Sequence, residues 1–225
     1  MADSPEKKES GFWKKPRSKW LLGVPIGGFV MLVIGAFGLI AMNATLHATS
    51  TTEFCNACHS HTINTMEEHA ISSHYQNKTG VRAECHHCHL PSMEDEYFSY
   101  VWTKMVVSLD IISEIQGKIT SPEAYEEHRP EMFEKVVREY KDNDSKFCRN
   151  CHVVDGMELE EQGRLAQRRH ASMQERGQTC IDCHYGLVHK LPENTDEILS
   201  DLGYTPEQID ELVESKAAGR NVPTK

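Results

Sequence analysis

The stretch FCNACHSH, Phe54 to His61, contains a complete C-x-x-C-H unit in Cys55, Cys58 and His59. The unit recurs as Cys85/Cys88/His89, Cys148/Cys151/His152 and Cys180/Cys183/His184, and these four copies use all eight cysteines of the chain. None is left for a structural disulfide. C-x-x-C-H is the signature of covalent c-type haem attachment, in which the two thiols add to the haem vinyl groups and the histidine reaches the iron. A single copy could equally be a redox pair or half of a zinc site. Four copies are harder to read that way, because zinc knuckles need no histidine at this fixed place. The expectation is four covalently bound haem c groups.

Composition agrees with an interior filled by something other than side chains. The chain has 225 residues, 39% hydrophobic content and a formal charge of −10. Much of the apolar content lies near the N-terminus, and the remainder is polar, acidic and poor in Leu, Ile and Val. Such a chain is short of material for a conventional core.

The run WLLGVPIGGFVMLVIGAFGLIAM, Trp20 to Met42, carries no charge over 23 residues. About 20 apolar residues span a bilayer as a helix, and Pro25 and five glycines are tolerable there. A cleaved signal peptide would have an apolar core of roughly 7–15 residues, so the run predicts an uncleaved signal-anchor. Ahead of it stand six basic and three acidic residues, a positive excess that predicts a cytoplasmic N-terminus. The rest of the chain then lies in the periplasm of a Gram-negative cell, anchored in the inner membrane. Small-residue surfaces at Gly23, Gly27, Gly28, Gly35 and Gly38 offer a face for helix pairing and a homo-oligomer.

The motifs come in two similar pairs. Cys55 and Cys85 are 30 residues apart, and Cys148 and Cys180 are 32 apart. His74 precedes Cys85 by 11 residues with Gly80 between, and His170 precedes Cys180 by 10 with Gly177 between. FCNACH answers FCRNCH. This reads as a duplicated di-haem module. A low-spin haem iron takes two axial ligands, and the motif histidines supply one each. For the second, His74 and His170 stand in equivalent places and His189 follows the last motif closely. His86 and His87 lie inside a C-x-x-C loop, where reaching their own iron is awkward.

Between the modules, Tyr97 to Ile119 has helical spacing. SPEAYEE at Ser121 to Glu127 resembles a helix start with Pro at the first position, and Met132 to Tyr140 reads as a further short helix. Thr205 with Gln208 is a capping box opening a C-terminal helix. Nothing reads as a sheet. The predicted fold is mostly α with irregular loops. Its expected parts are a basic tail (1–19), a transmembrane helix (20–42), a first di-haem module (43–92), a helical linker (93–144), a second di-haem module (145–192) and an acidic helical extension (193–225).

The pattern resembles the NapC/NirT family of membrane-anchored tetrahaem quinol dehydrogenases. The segments that carry the likeness are the N-terminal helix, HYQNKTGVRAECHHCHLP (His74–Pro91), SKFCRNCH (Ser145–His152) and GQTCIDCHYGLVHKLP (Gly177–Pro192), and together it covers about residues 12 to 192. The resemblance implies a cytochrome that takes electrons from menaquinol or ubiquinol at the periplasmic membrane face. It would pass them through four haems to a periplasmic reductase or other soluble acceptor in anaerobic respiration. It implies distal ligand roles for His74, His170 and His189. It also implies a quinol site built on a lysine and an acidic residue after the second motif, which here are Lys104 and Asp110, with Glu67, Glu68 and Glu114 as further carboxylates for a proton path. Leu109 stands where the family often has lysine.

One departure falls at the first motif. Family members commonly continue it as C-x-x-C-H-x-M, and that methionine can hold the first iron. Here the position is His61. Either His61 takes the axial place, or His59 does with His61 free, or another residue such as Met66 does. Two other functions stay in view: a relay with no quinol site of its own, and a terminal reductase of a small oxyanion at an open haem. Nucleic acid is excluded as a partner. The tail's excess leaves −13 for the rest of the chain, the wrong sign for phosphate backbones. The chain also lacks a G-x-x-x-x-G-K loop and a G-x-S-x-G elbow.

Overall fold

A computed structural model of the protein describes residues 20–21 and 24–210. The basic tail and the end of the C-terminal helix lie outside the described residues. The chain divides into two units, residues 1–48 and 49–225.

In the first unit, β1 (Trp20–Leu21) and β2 (Val24–Pro25) pair antiparallel, a hairpin where no strand was expected. The long helix α1 follows, Ile26–Ala48, with no buried residue. It starts six residues later than the apolar run, directly after Pro25, and it continues past Met42. Asn43 and Thr45 do not stop it, because their side chains donate to the carbonyls of Leu39 and Ala41 at 2.9 Å and so stay satisfied within the helix. At 1.5 Å per residue its 23 residues span about 35 Å, enough for a hydrocarbon layer of about 30 Å.

The second unit is a set of short helices joined by loops. The first half holds α2 (Thr52–Cys55), α3 (His59–Asn64), α4 (Met66–Ala70) and α5 (Cys85–His89). The linker holds α6 (Tyr97–Val107), α7 (Asp110–Ile115) and α8 (Pro122–Asp142). The second half holds α9 (Lys146–Arg149), α10 (Arg164–Ser172) and α11 (Cys180–His184), and α12 (Thr195–Asp201) follows.

Two linker expectations change. The helical pattern from Tyr97 breaks between α6 and α7, where the Ser108 hydroxyl and N–H both donate to the Lys104 carbonyl, at 2.7 and 3.2 Å. Conversely, the two short helices expected around Pro130 are one helix of 21 residues, α8, capped by Ser121 as its sequence indicated. An internal proline costs a backbone hydrogen bond. Here the buried Arg129 fastens the helix at that turn through ion pairs to Glu126 and Glu68.

Among the described residues, the principal side-chain cluster lies where α8, α11 and α12 meet. Val137, Ile181, Tyr185, Leu199, Tyr204 and Ile209 are buried together, with Phe133, Tyr140 and Leu191 against them. Three of the six belong to the segment after residue 193. That segment is therefore packed onto the last motif. The Tyr204 hydroxyl donates to Asp182, inside the fourth C-x-x-C, at 2.6 Å, and Lys141 pairs with the same carboxylate at 3.1 Å. The capping box of Thr205 and Gln208 forms in both directions.

The two halves share a local construction. Three residues before the first cysteine of each half stands a hydroxyl, on Thr52 and Ser145. The Thr52 hydroxyl accepts from the Cys85 N–H at 3.4 Å, and the buried Ser145 hydroxyl accepts from the Ile181 N–H at 3.0 Å. In each half the hydroxyl ties the first motif to the start of the second. Both second-motif helices, α5 and α11, open with a capping box, Glu84 with His87 and Thr179 with Asp182.

Candidate functional site

The four motifs form a chain of neighbours. Cys55 and Cys85, the leading cysteines of the first half, share a hydrogen bond between their sulfur atoms, which raises the Cys55 thiol and lowers Cys85 to about 6. Cys148 and Cys180 share one in the second half. Between the halves, Cys88 lies close enough to Cys151 to feel its charge, and the Tyr140 hydroxyl donates to the Cys88 carbonyl. Lys146 and Glu96 add an ion pair at 2.8 Å across the same junction.

Three motif histidines face a second histidine. His89 and His189 have ring centroids 6.3 Å apart, His74 and His152 also 6.3 Å, and His170 and His184 6.0 Å. An imidazole nitrogen binds a metal at about 2 Å, and the ring centre sits about 1 Å behind it, so two rings trans across one iron stand roughly 6 Å apart. All three expected distal histidines are in these pairs. The sequence equivalence of His74 and His170 is not kept, since His74 reaches the other half whereas His170 meets a histidine of its own half.

The surroundings fit haem. Burial pushes His74 below its ordinary pKa, and its Nδ1 is buried without a hydrogen-bond partner. The His89 ring is exposed by area, yet protein surrounds it, and that burial lowers it to about 4. Each is held neutral, the form that offers a lone pair to iron.

Glu68, on α4, organises the ring of His189. His189 Nδ1 and the Lys190 N–H donate to its carboxylate at 3.2 and 3.1 Å, and Arg129 bridges both its oxygens at 2.7 and 3.3 Å. Burial alone would raise Glu68, but these donors outweigh it and hold the carboxyl at about 2. A carboxylate on the far nitrogen fixes a ligand histidine's tautomer and leaves the other nitrogen for metal.

The first motif is arranged differently. His59 and His61 both lie on α3, two residues apart and exposed, so they project to opposite sides of a 3.6-residue turn and do not face one another. The Met66 sulfur accepts from the Asn56 amide at 2.7 Å. Lys104 Nζ sits 5.6 Å from the Phe54 ring and donates to the Thr49 carbonyl; burial lowers its pKa. The Glu114 carboxylate accepts from the Ser60 N–H at 3.1 Å, beside His61 and His59. Asp110 is exposed at the start of α7. Lys104 and Glu114 thus approach the first motif from the linker.

Sequence reasoning placed Glu68 and Glu114 only among general carboxylates and gave Arg129 no role. The partners of Glu68 lie 61 and 121 residues away in sequence, so no local pattern announces them. His69 was left unassigned. It is buried, its Nε2 lies 2.9 Å from the Ala83 carbonyl and its Nδ1 has no partner.

A family model described as "NapC/NirT cytochrome c family, N-terminal region" matches residues 16–194. Cytochrome c-type protein TorY of Haemophilus influenzae is 46% identical over 160 residues, 71% of this chain and 42% of its own length. TorY of Escherichia coli O157:H7 is 41% identical over 165 residues, 73% of this chain and 44% of its own. The chain thus spans under half the length of these relatives. Cytochrome c-type protein NapC of Escherichia coli K12 is 37% identical over 186 residues, 81% of this chain and 88% of its own. No solved structure matches at a significant level.

Proposed function

The chain belongs to the NapC/NirT cytochrome c family, and on that footing we propose that it is a membrane-anchored tetrahaem cytochrome c. In this reading it oxidises menaquinol or ubiquinol at the periplasmic membrane face and hands the electrons to a periplasmic reductase. The carrying observation is the three facing histidine pairs, each joining a motif histidine to a second ring 6.0–6.3 Å away. Bound haem supplies one-electron redox chemistry, while the protein sets orientation and potential.

The cysteines of the four motifs hold the groups. His89 with His189, His152 with His74 and His184 with His170 are the proposed axial pairs, and His59 or His61 serves the first site. The matching hydroxyl ties and capping boxes of the two halves support a duplicated di-haem module. The apolar α1 supports a single span with the N-terminus cytoplasmic.

At the first motif, the half-buried Lys104 donates to a quinol oxygen. The Glu114 carboxylate, ionised and already turned toward Ser60, takes up a released proton, and the exposed Asp110 passes it to water. The rival reading, a relay without a quinol site, differs at this point. The full-length protein in detergent is mixed with menadiol or decylubiquinol, and haem reduction is followed by absorbance. Wild-type protein is expected to be reduced rapidly. Lys104→Ala and Glu114→Gln should slow reduction by about tenfold or more, the loss on removing a group that acts in proton transfer, with dithionite-reduced spectra unchanged. Failure of either quinol to reduce the wild type would establish the relay instead.

A further inference from the structure

The helices α6 and α7 are amphipathic in the reverse of the usual sense. Phe98, Trp102 and Met105 are spaced 4 and 3 residues apart, which aligns them on one face of α6, and Leu109 follows in the turn before α7. That face points outward: the four are 87%, 68%, 61% and 61% exposed. Two polar side chains of α6 turn inward. Tyr100, on the opposite side, is buried with its hydroxyl bonded to Ser50, and Lys104 donates to the Thr49 carbonyl. The pattern continues on α7, where Ile112 and Ile115 are exposed while Glu114 turns in to the Ser60 N–H. Single exposed apolar residues are ordinary, but a continuous outward stripe marks a surface that something covers.

We propose that this face is covered by the bilayer, with α6 and α7 lying in the headgroup–acyl boundary as a second membrane contact of the chain. The inference rests on the reading of α1 as a membrane span. Covalent continuity favours lipid as the occupant. Thr49 directly follows Ala48, the last residue of α1, and it is to Thr49 and Ser50 that α6 is fastened. Those anchor points are the first two residues after the apolar helix, so very little chain separates α6 from the end of the span. Charge favours lipid as well. Residues 97–119 carry two basic and two acidic residues, whereas the chain beyond the basic tail as a whole carries −13. The linker helices are a neutral window in an acidic molecule, able to approach anionic headgroups that repel the rest. Trp102, within the stripe, is a residue type enriched at such interfaces. A helix of this kind buries its apolar face about 5–10 Å deep.

The eight native cysteines are consumed by haem attachment, so one added cysteine can be labelled alone. Nitroxide labels are placed at Trp102→Cys and Met105→Cys, at Glu175→Cys as an aqueous reference and at Phe37→Cys within α1. The full-length, haem-loaded, oxidised protein is reconstituted in vesicles of phosphatidylethanolamine and phosphatidylglycerol, with each label compared with and without the added reagent so that relaxation by the haems cancels. Collisions with dissolved oxygen and with an aqueous nickel chelate are measured by power saturation. At 102 and 105 the expected result is loss of nickel collisions and gain of oxygen collisions relative to position 175. Nickel access equal to that at position 175 would overturn the inference. So would shielding from both reagents, which would mean a protein partner or a second copy on this face. The label at 37 keeps the two readings apart. Oxygen access there with none at 102 and 105 removes only this inference, whereas nickel access at 37 removes the span and this inference with it.

Discussion

At the scale of single residues, the most informative side chain is Glu68. It binds Arg129, His189 and the Lys190 backbone at once, joining α4, α8 and the loop after the fourth motif. Arg129 and Glu68 side chains are only 5% and 17% exposed. Arg129 keeps its ion pair to Glu126, so removing Glu68 leaves it partly paired and forfeits the hydrogen bonds that Glu68 accepts. Glu68→Ala should therefore lower unfolding free energy by about 1–3 kcal/mol in denaturant titration. Glu68→Gln keeps the shape and removes the charge from behind His189. A ligand histidine with a neutral partner is a poorer donor, so the midpoint potential of one haem should rise in redox titration. Unchanged potentials in a folded Gln variant would separate Glu68 from the metal centre. His61 allows a second residue-scale test. Methionine ligation raises haem potential relative to histidine. If His61 holds the first iron, His61→Met should raise that potential and change the low-spin spectrum. No change in either would rule out His61 as the ligand.

At the scale of elements, α12 and the turn after it complete the fourth motif. Leu199 is fully buried against α8 and α11, and Tyr204 reaches Asp182 inside that motif. Leu199→Ala should cost about 2–5 kcal/mol, read as a lower midpoint in thermal unfolding. A loss below 0.5 kcal/mol, the scale of a surface change, would mean that this cluster does not support the module. The same elements mark how far the sequence could be read. The motifs were legible because covalent attachment demands a fixed local spacing, and the Ser121 and Thr205 caps because capping acts within one turn. What eluded local reading was decided at a distance. The α6–α7 break has no proline or glycine to announce it, and α8 runs through Pro130 where Arg129 is tied to Glu68 of α4. The histidine pairs are half legible: the sequence offers all three distal candidates, but the partners of His74 and His189 follow from packing between halves that no repeat in the chain encodes.

At the scale of the whole molecule, charge is the property that an electron acceptor meets first. The chain carries −13 beyond its basic tail, and haem propionates would add to it. Such a field steers cations inward and repels anions, over a distance of about 10 Å at 0.1 M salt. Two small outer-sphere oxidants of opposite charge test this on the reduced full-length protein. Hexaammineruthenium(III) should oxidise it faster than its driving force alone predicts at low ionic strength, and ferricyanide more slowly. Raising the salt should slow the first and speed the second until charge no longer separates them. Equal salt dependence for the two, measured by stopped-flow absorbance, would show that electrons leave through a locally neutral or basic surface. That result would point to the exposed arginines Arg164 and Arg168 of α10, on the same helix as His170, in place of the acidic face. The slopes therefore report which surface a partner reductase must complement: a basic patch if cations win, an acidic one if they do not.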